Sequence, residues 1–128
     1  LDKLARQVKR AARRFHDLPF AHRHELRKRL KRLRYLAEFA APAFDGAAVH
    51  AWLDRVAAAQ ARLGTHIDLA LACDRFAAAA PTNPGAGYAA GWLRAQADAS
   101  AGAARKSLER LCEARCFWSL ATGRRRDR

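Results

Sequence analysis

The stretch His24-Glu25-Leu26-Arg27-Lys28-Arg29-Leu30-Lys31-Arg32-Leu33-Arg34-Tyr35-Leu36-Ala37-Glu38 decides how the rest of the chain is read. It has no proline, no glycine and no β-branched residue, and it is built from the best helix formers. Stepping ~100° per residue from His24, Leu26, Leu30, Leu33 and Ala37 fall within roughly 180–240°. This narrow apolar stripe is suited to packing on a helical neighbour. His24, Arg27, Lys31, Arg34, Tyr35 and Glu38 fall within roughly 280–20°, a second stripe beside the first. Arg23 and Lys28 stand at its two edges. Arg29 and Arg32 lie further round, on a solvated arc. The second stripe covers about 16 Å of helix at ~1.5 Å per residue.

Working outward, Pro19, Pro42 and the Pro81-Thr82-Asn83-Pro84-Gly85 cluster divide the chain. Before Pro19, Leu1, Leu4, Ala5, Val8, Ala11, Ala12 and Phe15 recur at spacings of three and four, which predicts an amphipathic first helix. Arg6, Lys9, Arg10, Arg13 and Arg14 occupy its other face. The basic second helix is expected from about His22 to Ala41. Asp45-Gly46 opens a third, with Val49, Trp52, Leu53, Val56 and Ala57 as its apolar stripe. Gly64 is expected to break or kink it, and Thr65-His66-Ile67-Asp68 resembles a capping box that restarts a helix to about Ala80. A last helix is expected from about Tyr88 to Leu120. The three Trp residues occupy core positions in this reading. His16, His50 and His66 fall at capping or surface positions. The expected fold is all-α: an antiparallel up-down bundle of four to five helices with a long basic second helix. Residues 1–121 form a single bundle, with 122–128 as a basic tail.

Half of the 128 residues are hydrophobic (51%), enough for a core without staples. No run of 18 apolar residues is present, so no membrane span is expected. No signal-peptide pattern opens the chain, and its start at Leu1 rather than Met suits a piece of a longer protein. Cys73, Cys112 and Cys116 form no CxxC pair. They read as free, buried thiols in a reducing, cytoplasmic compartment, and two thiols four apart do not make a zinc site.

Charge dominates the composition. There are 25 Lys and Arg against 12 Asp and Glu, a net +13. Residues 1–34 hold 13 of those cations against only Asp2, Asp17 and Glu25, which concentrates a net +10 there. Packed like charges repel, so an anionic partner is expected. Arg grips phosphate oxygens with a planar fork and Lys with a compact point charge. Tyr35 and His24 can each donate a hydrogen bond. No GxxxxGK or GxGxxG loop is present. Glu25 and Glu38 are too isolated to act as a carboxylate pair, and Glu38 suits anchoring an Arg. His22 and His24 are two apart and cannot share a helical face as metal ligands. No cofactor or metal is expected, and no nucleophile-base arrangement is suggested, so the chain reads as non-catalytic.

The run His24-x-x-Arg27-x-x-x-Lys31-x-Leu33-Arg34-Tyr35-x-x-Glu38 resembles the signature helix of the CHAD family, the histidine-bearing α-helical domains. Leu63-Gly64-x-x-x-Asp68 resembles the motif that follows it there. Gly91-Trp92-Leu93 and Phe117-Trp118 resemble the family's last helix. What the resemblance implies is binding of inorganic polyphosphate in a soluble bacterial or archaeal protein associated with polyphosphate granules. His24, Arg27, Lys31, Arg34 and Tyr35, with Lys28 at the edge, would contact the anion. Lys9, Arg10 and Arg13 would add charge from the preceding helix. A full domain of this family pairs two related bundles around a shared groove, and this chain resembles the C-terminal one. The second wall would then come from the N-terminal half of the same domain or from a second copy. The alternative partner is a nucleic-acid backbone. Base reading calls for Asn, Gln or exposed aromatics among the cations. The signature helix has no amide, and its one phenol lies in the phosphate stripe.

Overall fold

The computed structural model describes residues 1–119. Four α-helices follow one another: α1 (Asp2–Arg13), α2 (Phe20–Ala40), α3 (Gly46–Ala79) and α4 (Pro84–Glu113). Among the described residues there is no strand. The fold is an all-α bundle, as the periodicity predicted. The basic tail expected at 122–128 lies outside the described residues.

Each helix boundary has a local cause. α1 ends at Arg13, and Phe15–Asp17 tighten into a 3-10 turn that carries Phe15 into the core. Pro19 sits at the N-cap of α2, where its missing N–H costs nothing. Asp45 caps α3 by accepting from the Ala48 amide at 3.4 Å. Asn83 caps α4 by accepting from the Ala86 amide at 3.4 Å, with Pro84 at the first helical position.

Two helices differ from expectation. α3 runs unbroken through Gly64 and Thr65 for 34 residues. The Thr65 hydroxyl, read as a capping group, instead donates to the Ala61 carbonyl at 3.1 Å inside the helix. The last helix starts earlier than Tyr88 and ends earlier than Leu120, at Glu113; Ala114 turns to extended backbone (ψ 134°). That turn folds Phe117 and Trp118 back onto the bundle. Their rings meet Trp52 edge-on at 5.6 and 5.0 Å, and the Trp118 indole donates to Asp2 of α1 at 2.6 Å. Cys112 and Cys116 therefore do not share a helix, and both are half-buried, whereas Cys73 is fully buried.

The core joins Phe15 of the 3-10 turn to the inward faces of all four helices: Val8, then Leu26, Leu30 and Leu33, then Val56, Leu63 and Ile67, then Leu108 and Leu111. α3 and α4 form a long antiparallel hairpin. Small residues such as Ala59, Ala97 and Ala104 are buried within it, which allows close helix approach. At ~1.5 Å per residue α3 spans about 51 Å and α2 about 32 Å, so the outer end of the hairpin projects beyond the short helices. Trp92, expected in the core, lies on that end and is 60% exposed.

Candidate functional site: a cationic trough between α2 and α3

α2 buries Leu26, Leu30, Leu33 and Ala37, the stripe read from the sequence. That anchoring fixes the rotation of the helix and turns its neighbouring stripe toward α3. There Arg27, Lys31 and Arg34 line one wall of a trough of about 430 Å³. The opposite wall comes from α3. Ala57, Ala61 and Gly64 are small enough to leave room, and Gln60, Thr65 and Asp68 supply polar groups.

The two arginines are held at the ends of the trough. Arg27 Nη1 pairs with Asp68 Oδ1 at 2.9 Å, and its guanidinium lies over the backbone of Gly64. Arg34 Nε pairs with Glu38 Oε1 at 2.9 Å, and Arg34 Nη1 donates to Gln60 Oε1 at 3.2 Å. Glu38 thus anchors an arginine, the role its isolation suggested. Both ion pairs are well exposed, with Asp68 66% accessible. Such pairs contribute only about 0–1 kcal/mol. They orient the guanidiniums without competing strongly with a more highly charged anion. Lys31, between them, has no carboxylate within salt-bridge distance among the described residues; its ammonium lies 5.9 Å from the Tyr35 ring centroid.

The remaining residues named from the sequence are distributed differently. Tyr35 is exposed next to Lys31, and His24 is half-buried one turn before Arg27, outside the trough lining. Lys28 faces solvent, 3.9 Å from Glu25. The α1 cations do not reach the trough. Lys9 donates to the Ala114 carbonyl at 2.8 Å, Arg13 faces α4, and Arg10 stands in a separate depression between α1 and α2.

Two features escaped the sequence reading. Gln60 carries neither charge nor motif to mark it, although Gln60, Gly64 and Asp68 recur every four residues and so share a face of α3. His66, expected at the surface, is buried. Its Nε2 accepts from Arg23 Nη1 at 2.9 Å, which puts the ring proton on Nδ1, 3.1 Å from the Ala97 carbonyl. Arg23 also donates to the carbonyls of Leu18 and His16 at 3.1 and 3.3 Å and covers the Phe15 ring at 4.5 Å. It locks the α1–α2 turn onto the hairpin. Burial lowers the His66 pKa below its ordinary 6.5, and the neighbouring Arg23 charge adds to this against opposing contributions from Ala97 and Asp98. No group of three or more His, Cys, Asp or Glu side chains is placed to share a metal ion among the described residues.

Residues 1–77 match the CHAD domain. The chain belongs to the CHAD family. The matched span holds α1, α2 and all but the last two residues of α3, and so both walls of the trough. The resemblance at Gly91–Leu93 and Phe117–Trp118 falls outside it. Comparison with curated proteins and with solved structures gives no match. CHAD domains are associated with polyphosphate binding and are generally binding rather than catalytic domains. No described helix of this CHAD chain is long and apolar enough to cross a membrane.

Proposed function

We propose that the α2–α3 trough binds inorganic polyphosphate without catalysis. The observation that carries this is the convergence of Arg27, Lys31 and Arg34 on one wall, with the end arginines oriented and Lys31 between them paired with no carboxylate among the described residues. A linear polyanion presents an equivalent oxygen cluster at every repeat and so matches cations repeating along one helix. Tyr35 and His24 flank the trough and would donate hydrogen bonds to a chain that runs past its ends. The trough is open on its outer side, which suits a second wall from another half-domain or a second copy. Retention at polyphosphate granules would follow from such binding.

A nucleic-acid backbone is the competing reading. One observation favours it: Phe39, one turn beyond Tyr35, is 89% exposed, and Tyr35 is 60% exposed. Exposed aromatics beside cations can stack bases. A competition titration at fixed salt separates the two. Long-chain polyphosphate is set against single-stranded RNA and duplex DNA at equal charge concentration. Polyphosphate is expected to win; tighter binding of either nucleic acid sinks the proposal. Replacing both Arg27 and Lys31 with Ala is expected to weaken polyphosphate binding by at least about 100-fold, since hydrogen bonds to charged groups contribute about 1.5–3 kcal/mol each. Unchanged affinity in the folded double variant would place the site elsewhere. Release of phosphate from polyphosphate by the pure protein with a divalent metal would overturn the non-catalytic reading.

A further inference from the structure

The other flank of α2 carries a second cationic depression. Arg10 of α1, Arg14 at the α1 C-cap and Arg29 of α2 converge on a trough of about 360 Å³. Leu18 and Leu26 form part of its lining, and His22 and Glu25 stand on its α2 side. The two helices are successive and joined by a tight turn, so the trough runs along α2, as the first one does.

The charge here is poorly compensated. Arg10 in the last turn of α1 and Arg14 at its C-cap bring two like charges to the same trough, where they repel. Neither has a carboxylate within salt-bridge distance among the described residues. Glu25 is shared between Arg29 and Lys28 at 3.8 and 3.9 Å. Three guanidiniums therefore meet one carboxylate that is already engaged. Between the two troughs, the crest of α2 bears Lys28 and Arg32, both exposed. Cations are thus continuous from the α2–α3 trough, over the crest, to the α1–α2 trough.

We propose that the α1–α2 trough is a second polyphosphate subsite, reached only by chains long enough to cross α2. This rests on the polyphosphate reading of the first trough. It assigns Arg10, Arg14 and Arg29 a role apart from that of Arg27, Lys31 and Arg34. A short oligophosphate fills one trough; a long chain engages both and gains the affinity of linked sites.

The experiment is calorimetric titration of four proteins with tripolyphosphate and with long-chain polyphosphate over a range of salt. They are the unmodified chain, Arg10→Gln with Arg14→Gln, Arg27→Gln with Lys31→Gln, and a control with Arg105→Gln and Lys106→Gln on α4. All six positions are solvent-accessible, and removing like charges at the end of α1 relieves repulsion, so the fold is retained. The α1 variant is expected to lose about tenfold in long-chain affinity, with a salt slope less steep by about two. Its tripolyphosphate affinity stays within twofold, and the α4 control changes neither. Unchanged long-chain affinity and slope in the α1 variant overturns the subsite. So does an equal loss in the α4 control, which would mean a general field, or a parallel loss for tripolyphosphate, which would merge Arg10 and Arg14 with the first trough. No polyphosphate binding by the unmodified chain overturns both readings. Unchanged tripolyphosphate binding in the α2–α3 variant overturns the first trough alone.

Discussion

At the residue scale, Arg23 and His66 show how a cation can be taken out of the binding surface. Arg23 stands at the edge of the basic stripe and in the first turn of α2, where the helix dipole disfavours positive charge. Three acceptors answer it: the carbonyls of His16 and Leu18, and the neutral His66 ring. The arrangement requires His66 without a second proton. Because its folded pKa lies below the ordinary 6.5, the unfolded chain takes up the proton first as the pH falls. The stabilisation is therefore complete above about pH 6.5 and is lost as the pH drops from there through the folded value. Thermal melts from about pH 7.5 to 5 are expected to show falling stability that is absent in His66→Asn, itself less stable at neutral pH. A pH slope equal in both proteins would show that other groups cause it. Nothing in the spacing of His66 marks it as buried. Its burial depends on Phe15, Arg23 and α4 arriving from three other segments.

At the element scale, α2 was legible because its signal is redundant. Four leucine or alanine positions and three cations obey one period, so a single misplaced residue changes nothing. α3 was less legible. Glycine lowers helix propensity by about 1 kcal/mol relative to alanine, which suggested a break at Gly64. The hairpin with α4 and the core contacts of Leu63 and Ile67 outweigh that cost. A Cβ at Gly64 would lie 3.5 Å from Arg27 Nη2, an ordinary contact, so close packing does not demand glycine. Gly64→Ala is expected to raise stability by about 0.5–1 kcal/mol and to leave polyphosphate affinity within about twofold. Denaturant unfolding measures the first, and a fall in midpoint would mean that the methyl displaces the guanidinium. By contrast, Leu30→Ala is expected to cost about 2–5 kcal/mol, because Leu30 is fully buried between the helices.

For the whole molecule, the net charge of +13 is the property that links stability to binding. Self-repulsion opposes the compact state, and a bound polyanion relieves it. Saturating long-chain polyphosphate, at about 100 times its dissociation constant, is expected to stabilise the fold by about 2.7 kcal/mol, or about 10 °C in Tm. Sodium chloride at equal ionic strength is expected to produce a much smaller rise. Equal effects of the two would point to screening rather than a site.

By itself the sequence determined the helical class, the rotation of α2 and the cations on its second stripe. Each of these follows from local propensity and from a periodicity that one helix sets alone. Tertiary structure decided which cations act together. Arg27, Lys31 and Arg34 share a trough because α3 offers a small-residue wall opposite them, while Lys9, Arg10 and Arg13 are carried to other faces by the packing of α1. It also decided that His66 is inside and Trp92 outside. Both depend on helix lengths and crossings, since a residue is buried only where a neighbouring helix extends far enough to cover it.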